Sequence, residues 1–243
     1  MPSTPVRRAS ALVALCAAFA VHSFALPLHA SEPAKAMLLP ESETQAGVVV
    51  YPAKAPGPRP ITVVLHGMCG DPENTCSHFA EPITERGDHL LCPRGRLRCD
   101  GGGSTWPVHG ITADVETAVQ RALASLAGRV DERRGRTLIG YSLGAFRALT
   151  IAESACGRYP SVMLIGARIY PDPRLLRENG VTRLLLAAGD WDMMKLHMQR
   201  QAELLARADY PARFLGLGAT GHAFNDSFGS YLSSALAWLQ QHD

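Results

Sequence analysis

Short apolar runs alternate with helical patterns along most of the chain. Seven runs are rich in Val, Ile and Leu and end at turn residues, which is typical of buried strands. They cover residues 48–53, 61–67, 89–95, 137–142, 161–167, 183–189 and 212–218. The Pro-rich segment APGPRP separates the first two runs as a turn.

Helical patterns fill the intervals between several of these strands. Apolar residues recur at helical spacing and mark one amphipathic face at Val115, Ala118, Val119, Ala122, Leu123 and Leu126. Further helices are predicted near 144–155, 193–208 and 227–241. Strands that are apolar throughout and interleaved with helices indicate an α/β domain, with a mostly parallel central sheet and helices on both faces. We assign residues 31–243 to this single domain.

The first 30 residues have the pattern of a secretory signal peptide. Arg7 and Arg8 precede an apolar run of 11 residues, and Ala30 ends a small-residue cleavage site before Ser31. This run is too short to cross a bilayer, which needs about 20 residues, so no stable membrane insertion is expected. We therefore predict a secreted or periplasmic protein. A lipid anchor on Cys16 is the less favoured alternative.

Charge and cysteine content refine this expectation. The 243 residues carry 24 basic and 22 acidic side chains, and both excess charges lie in the signal segment. Because the charge is balanced and no stretch is strongly basic, the sequence gives no sign of nucleic-acid binding.

The cysteines are expected to form disulfides, because export takes the chain to an oxidising compartment. We favour local pairs, Cys69 with Cys76 and Cys92 with Cys99. Cys156 is the expected leftover, as a buried thiol on a helix. Neither spacing is typical of a structural zinc site, so no metal is expected.

The segment Gly140-Tyr141-Ser142-Leu143-Gly144 lies at a predicted strand end and opens a helix. This is the context in which a G-x-S-x-G motif forms a nucleophile elbow, because the turn is too sharp for flanking side chains. Ser142 is therefore the candidate nucleophile.

A serine nucleophile needs a histidine base and an acid that orients it. His222 follows the last predicted strand and is the favoured base among seven histidines after residue 30. Asp190 and Asp192 both follow the strand at 183–189, and we favour Asp192, while the other aspartate is expected in a turn or a helix cap. The order Ser142, Asp192, His222 is that of the α/β-hydrolases.

Four motifs, VVLHGMCG, GYSLGA, GDWD and GHAF, span residues 61–224 and resemble the landmarks of the α/β-hydrolase fold. The chain is similar to its compact carboxylesterase, acyl-thioesterase and dienelactone-hydrolase group. The resemblance implies that the backbone N–H groups of Met68 and Leu143 form an oxyanion hole, and that the GxxD turn selects Asp192. It implies no cofactor. The interval of about 15 residues after residue 167 is too short for a large lid, so an open site is expected.

These expectations favour a secreted serine esterase acting on small-molecule or polymeric esters. Trp106, Trp191 and His109 are candidates for binding substrate, with ordinary packing as the alternative for the two tryptophans. A serine peptidase or amidase with the same residues is the second hypothesis, since the motifs do not distinguish cleavage of esters from cleavage of amides. A non-catalytic binding protein of the same fold is the third and least favoured hypothesis. The sequence predicts no oligomeric state.

Overall fold

In the computed structural model, which describes residues 35–42 and 45–241, the apolar runs form a central sheet. The strands of this part of the chain are β1 (Met37–Leu39), β2 (Val48–Tyr51), β3 (Ile61–Leu65), β4 (His89–Pro93), β5 (Leu97–Arg98), β6 (Ser104–Thr105), β7 (Arg136–Tyr141), β8 (Ser161–Ile165), β9 (Arg183–Ala188) and β10 (Ala212–Gly216). The described strands of the main sheet have the order β1-β2-β4-β3-β7-β8-β9-β10. β1 and β2 are antiparallel to their neighbours, while β3, β4, β7, β8, β9 and β10 run parallel to one another. β5 and β6 pair separately as a small hairpin.

The register of the parallel strands brings their carboxyl ends to one edge. Leu65 at the end of β3 is opposite Gly140 of β7, Tyr141 is opposite Ile165 of β8, and Ile165 is opposite Ala187 of β9. Loops that leave these strands therefore start side by side. In open parallel sheets this edge is where ligands bind.

Helices cover both faces of the sheet. In the described residues they are α1 (Pro72–Glu85), α2 (Ile111–Leu126), α3 (Leu143–Ala152), α4 (Pro173–Glu178), α5 (Lys195–Arg207) and α6 (Phe228–Leu239). One buried cluster joins the sheet to α2, α3 and α5, and a second joins the other face to α1 and α6. Alternate residues of one strand contribute to both clusters, since Val63 and Leu65 belong to the first and Val64 to the second. This explains why the central strands are apolar throughout.

The predicted α/β architecture is confirmed, but the helix α1 was not predicted. Its buried face repeats at i, i+3, i+4 and i+7, through Cys76, Phe79, Ala80 and Ile83. Asp71 caps its first turn by accepting a hydrogen bond from the Glu73 N–H at 3.2 Å. The pattern was missed because Cys76 was assigned to a local disulfide and not to an apolar helix face. β2 and β3, which the predicted turn connects, are not neighbours in the sheet, because β4 lies between them.

The predicted disulfide pairing is wrong. Cys69 is bonded to Cys99, with a Cα–Cα distance of 5.7 Å, and Cys76 is bonded to Cys92 at 6.0 Å. The physical reason is that Cys76 lies on the inward face of α1, which packs over β4 and thus over Cys92. Both of these side chains are buried. Cys69 lies in the loop that follows β3, and Cys99 lies in the connection between β5 and β6.

Two further expectations concern exposed segments. Cys156 is free, as expected, but it is exposed in the turn beyond α3 and is not buried on the helix. The segment between β8 and β9 contains the six-residue helix α4. The expected signal peptide, residues 1–30, lies outside the described residues. Among the helices that the structure describes, none has the length and apolar character needed to cross a membrane.

Candidate active site

Ser142 lies in a sharp turn between β7 and α3. Its backbone has a φ of 55° and a ψ of −119°. This conformation is energetically unfavourable for any residue other than glycine. A methyl group on Gly140 would collide with the backbone of Gly144, and one on Gly144 would collide with the carbonyl oxygen of Leu65. Both glycines are therefore required for the strand and the helix to approach this closely. The Ser142 N–H donates to the carbonyl oxygen of Ile165 at 2.9 Å, which anchors the turn to β8.

His222 lies beside this serine. It belongs to the loop between β10 and α6, and its Nε2 is 2.9 Å from Oγ of Ser142. The Tyr141 hydroxyl donates to the carbonyl oxygen of His222 at 2.7 Å, and the two rings stack with centroids 5.0 Å apart. The residue that precedes the serine therefore also holds the histidine loop.

Asp192 contacts the other nitrogen of His222. Its Oδ2 lies 2.9 Å from Nδ1 of His222, while Oδ1 accepts a hydrogen bond from the Met194 N–H at 2.9 Å. The Asp192 side chain is only 4% exposed. Asp190 instead forms an exposed ion pair with Lys195 at 2.8 Å. The structure thus brings Asp192, and not Asp190, to the histidine.

Two glycines allow this convergence: Gly189, the glycine of the predicted GxxD turn, and Gly166, which the sequence interpretation did not single out. Gly166 follows β8 with a φ of +63°, and a methyl group there would lie 2.8 Å from Cε1 of His222 and 3.0 Å from Oδ2 of Asp192. At Gly189, a methyl group would collide with the carbonyl oxygen of Thr220. Their sequence signal is a glycine directly after a buried strand, at the same sheet edge as Ser142.

The predicted oxyanion-hole residues border the elbow from two sides. Leu143 is the first residue of α3, where a helix has no acceptor of its own for the backbone N–H. Met68 lies in the loop after β3, and a methyl group on its neighbour Gly67 would be 3.3 Å from Cβ of Ser142. Within the described residues, neither the Met68 nor the Leu143 N–H donates to a backbone or side-chain acceptor. In that part of the chain both N–H groups are thus without an internal acceptor.

The comparison with solved structures places this geometry in a known fold. A fluorophosphonate-binding serine hydrolase of Staphylococcus aureus has a TM-score of 0.63 and 14% identity, covering 86% of this chain and 100% of that one. An S-formylglutathione hydrolase of Agrobacterium tumefaciens has a TM-score of 0.61 and 16% identity, covering 84% and 93%. An esterase of Pyrobaculum calidifontis has a TM-score of 0.63 and 14% identity, covering 85% and 84%.

The chain has the α/β-hydrolase fold. No family model and no curated protein matches the sequence, so the likeness is one of structure. Ser142, Asp192 and His222 lie in the loops that follow β7, β9 and β10 of this fold, in the order that their motifs predict.

His66 supports the loop that carries Met68. Its ring is 1% exposed, with Nδ1 2.8 Å from the carbonyl oxygen of Gly67 and Nε2 3.1 Å from the backbone N of Gly95. The first contact needs a protonated Nδ1 and the second an unprotonated Nε2, which together fix the neutral ring. Burial, as the largest cause, lowers the pKa of His66 to about 4. His66 is thus a structural group that supports the loop next to the Ser142 turn.

The candidates for binding substrate divide by exposure. Trp106 is 3% exposed, its ring stacks on His66 at 4.5 Å, and its Nε1 donates to the carbonyl oxygen of His66 at 2.8 Å. This burial favours packing behind the loop, the alternative that the sequence leaves open for Trp106. Trp191 is 73% exposed beside Asp192, and His109 is exposed just before α2. Within the described residues no cluster of side chains suits a metal ion.

We predict that Gly166→Ala separates the histidine from the aspartate. The added methyl group would overlap His222, and a displacement of about 1 Å can cost about 100-fold in rate. Ester hydrolysis should therefore fall by about 100-fold in kcat. The matched control is Gly128→Ala, which has a similar φ of +72° but nothing within 4 Å of the new methyl group. Equal kcat values for the two variants would contradict the role of Gly166.

We also predict a pH dependence of stability from His66. Between pH 6.5 and about 4 the unfolded chain binds a proton at this histidine and the folded chain does not. The free energy of unfolding therefore falls as the pH falls through this window, by up to about 3 kcal/mol. In urea titrations, the fall in the free energy of unfolding from pH 7 to pH 4 should be about 3 kcal/mol smaller for His66→Gln than for wild type. Exposed His78→Gln is the control, and a His66→Gln curve parallel to wild type would overturn the prediction.

Proposed function

We propose that this chain is a serine hydrolase that cleaves carboxylic esters through an acyl-enzyme on Ser142. The observation that carries the proposal is the continuous set of contacts at the elbow. Ser142 Oγ lies 2.9 Å from His222 Nε2, and His222 Nδ1 lies 2.9 Å from Asp192 Oδ2. The structural neighbours include esterases and a serine hydrolase, which supports the same class of reaction.

The first step is attack by Ser142 on the ester carbonyl. His222 Nε2 accepts the hydroxyl proton as the bond from Oγ to the carbonyl carbon forms. Asp192 accepts a hydrogen bond from Nδ1, which keeps Nε2 unprotonated before the attack. Its buried negative charge then stabilises the imidazolium.

The negative charge that develops on the carbonyl oxygen is stabilised by the backbone N–H groups of Met68 and Leu143. One such donor is worth roughly 3 kcal/mol of transition-state stabilisation. The imidazolium next gives its proton to the leaving alcohol as the C–O bond breaks. A water that His222 deprotonates then attacks the acyl-enzyme, which releases the acid and restores Ser142. No cofactor takes part in these steps.

The substrate class that the site suits best is an ester with a reachable carbonyl and an apolar group. Large apolar side chains are exposed at the same sheet edge, with Met68 at 68%, Trp191 at 73% and Met193 at 90%. Exposed apolar side chains that cluster beside a polar site often mark a surface that binds a ligand or a partner. We propose that Trp191, together with His109 at the rim, contacts the acyl or alcohol part of small or polymeric esters.

The site of action that we propose is outside the cytoplasm. Two disulfides among the described residues are typical of a protein that folds in an oxidising compartment. The signal peptide of residues 1–30 and a mature domain of residues 31–243 complete this proposal.

The two neighbouring aspartates provide the sharpest test of the proposed roles. Asp192→Asn should lower kcat for p-nitrophenyl acetate on the order of 10,000-fold, since the amide favours the wrong tautomer of His222. Asp190→Asn is the matched control and should change kcat less than about three-fold, because its exposed ion pair contributes little. The opposite ranking would show that the wrong aspartate has been chosen.

A further inference from the structure

The loop His66–Gly70, here called the oxyanion loop, needs external support. Its residue Cys69 has a φ of 50°, a left-handed conformation that is unfavourable for residues other than glycine. Met68 is 68% exposed, so its side chain gives the loop little burial. Within the loop one backbone hydrogen bond is formed, from the Gly70 N–H to the carbonyl oxygen of Gly67 at 3.2 Å, and the His66 ring contacts the same oxygen through Nδ1 at 2.8 Å.

The β5–β6 hairpin, with its connecting residues 99–103, supplies this support. Cys99 forms the disulfide with Cys69. The Ser104 N–H donates to the carbonyl oxygen of Gly70 at 3.0 Å, and a methyl group on Gly103 would collide with the carbonyl oxygen of Cys69. The loop is thus confined between the hairpin on one side and the Ser142 elbow on the other.

The hairpin has little stability of its own. Its strands are two residues long, and both residues of β5, Leu97 and Arg98, are exposed. Isolated two-stranded hairpins are marginal even when longer than this. Little apolar burial fixes the hairpin against the loop, and the Cys69–Cys99 disulfide links the two covalently.

We propose that the Cys69–Cys99 disulfide is a positioning crosslink that holds the Met68 N–H where the oxyanion forms. This inference rests on the proposed function, since it concerns the rate of the same reaction. The two cysteines act through Met68 and do not touch the substrate. Opening the crosslink lowers turnover and leaves the hydrolase domain folded.

The two disulfides differ in exposure, and therefore in how readily a reductant reaches them. Cys69 is exposed and Cys99 partly so, whereas Cys76 and Cys92 are 0% and 1% exposed. A dithiol such as dithiothreitol therefore reaches the first pair while the chain is folded. Its thiolate attacks one sulfur, the S–S bond breaks, and Cys69 and Cys99 are reduced to thiols as the dithiol is oxidised to a cyclic disulfide.

The first experiment treats the folded wild-type protein with dithiothreitol. Alkylation and peptide mass mapping identify the cysteines that have been opened, and circular dichroism checks the fold. We expect kcat for p-nitrophenyl acetate to fall at least about ten-fold, since full loss of one oxyanion donor costs about 100-fold or more. KM should change less than two-fold, and reoxidation should restore kcat. Affinity for a trifluoromethyl ketone, whose adduct carries the same oxyanion, should fall in parallel.

A variant makes the test independent of selective reduction. Cys99→Ser leaves Met68 and Cys69 in place and should show the same loss of kcat and of ketone affinity, with no further response to dithiothreitol. Cys156→Ser, which replaces the exposed free cysteine, is the matched control and should respond to dithiothreitol as wild type does.

The outcomes distinguish this inference from the proposed function. Unchanged kcat and ketone affinity in Cys99→Ser, or after alkylation of Cys69 and Cys99, would overturn the positioning role. If the oxidised wild type neither hydrolyses esters nor binds the ketone, the proposed function is wrong instead. Hydrogen exchange of residues 66–71 then decides the crosslink's role: faster exchange in Cys99→Ser supports it, and equal exchange contradicts it.

Discussion

The site depends on one backbone constraint, the left-handed conformation of Ser142 between a strand and a helix that nearly touch. The turn is possible because residues 140 and 144 have no side chains. It projects the serine beyond the sheet edge and leaves the first N–H of α3 without an internal acceptor. One local feature therefore sets the position of the Ser142 hydroxyl and of a hydrogen-bond donor beside it.

The other groups reach the serine through close backbone approaches. Gly67 brings the loop after β3 against the elbow, Gly166 makes room for the histidine and aspartate, and Gly189 lets the last two loops meet. The parallel register makes these approaches possible, since the strands end at one edge. The polar contacts at the site are then short because the backbone beneath them is closely packed.

The sequence predicted the features that depend on local pattern. The apolar runs located the central strands, and the glycine spacing around Ser142 identified the elbow. Pairings between distant residues were harder to predict, because they depend on which segments the sheet order brings together. The cysteines were paired by nearness in sequence, whereas α1 brings Cys76 over Cys92. The sequence left substrate contact and packing open for Trp106, and the stacking of its ring on His66 depends on the fold. Gly166 went unnoticed because its role depends on side chains of two later loops.

The most direct test of the account is the identity of the residue that reacts with a fluorophosphonate. The reagent should lose fluoride and form one P–O bond with the protein, and peptide mass spectrometry should locate the adduct on Ser142. Ser142→Ala should remain unmodified under the same conditions. An adduct on another residue of the folded wild-type protein, or no adduct at all, would contradict the assignment of Ser142 as the nucleophile.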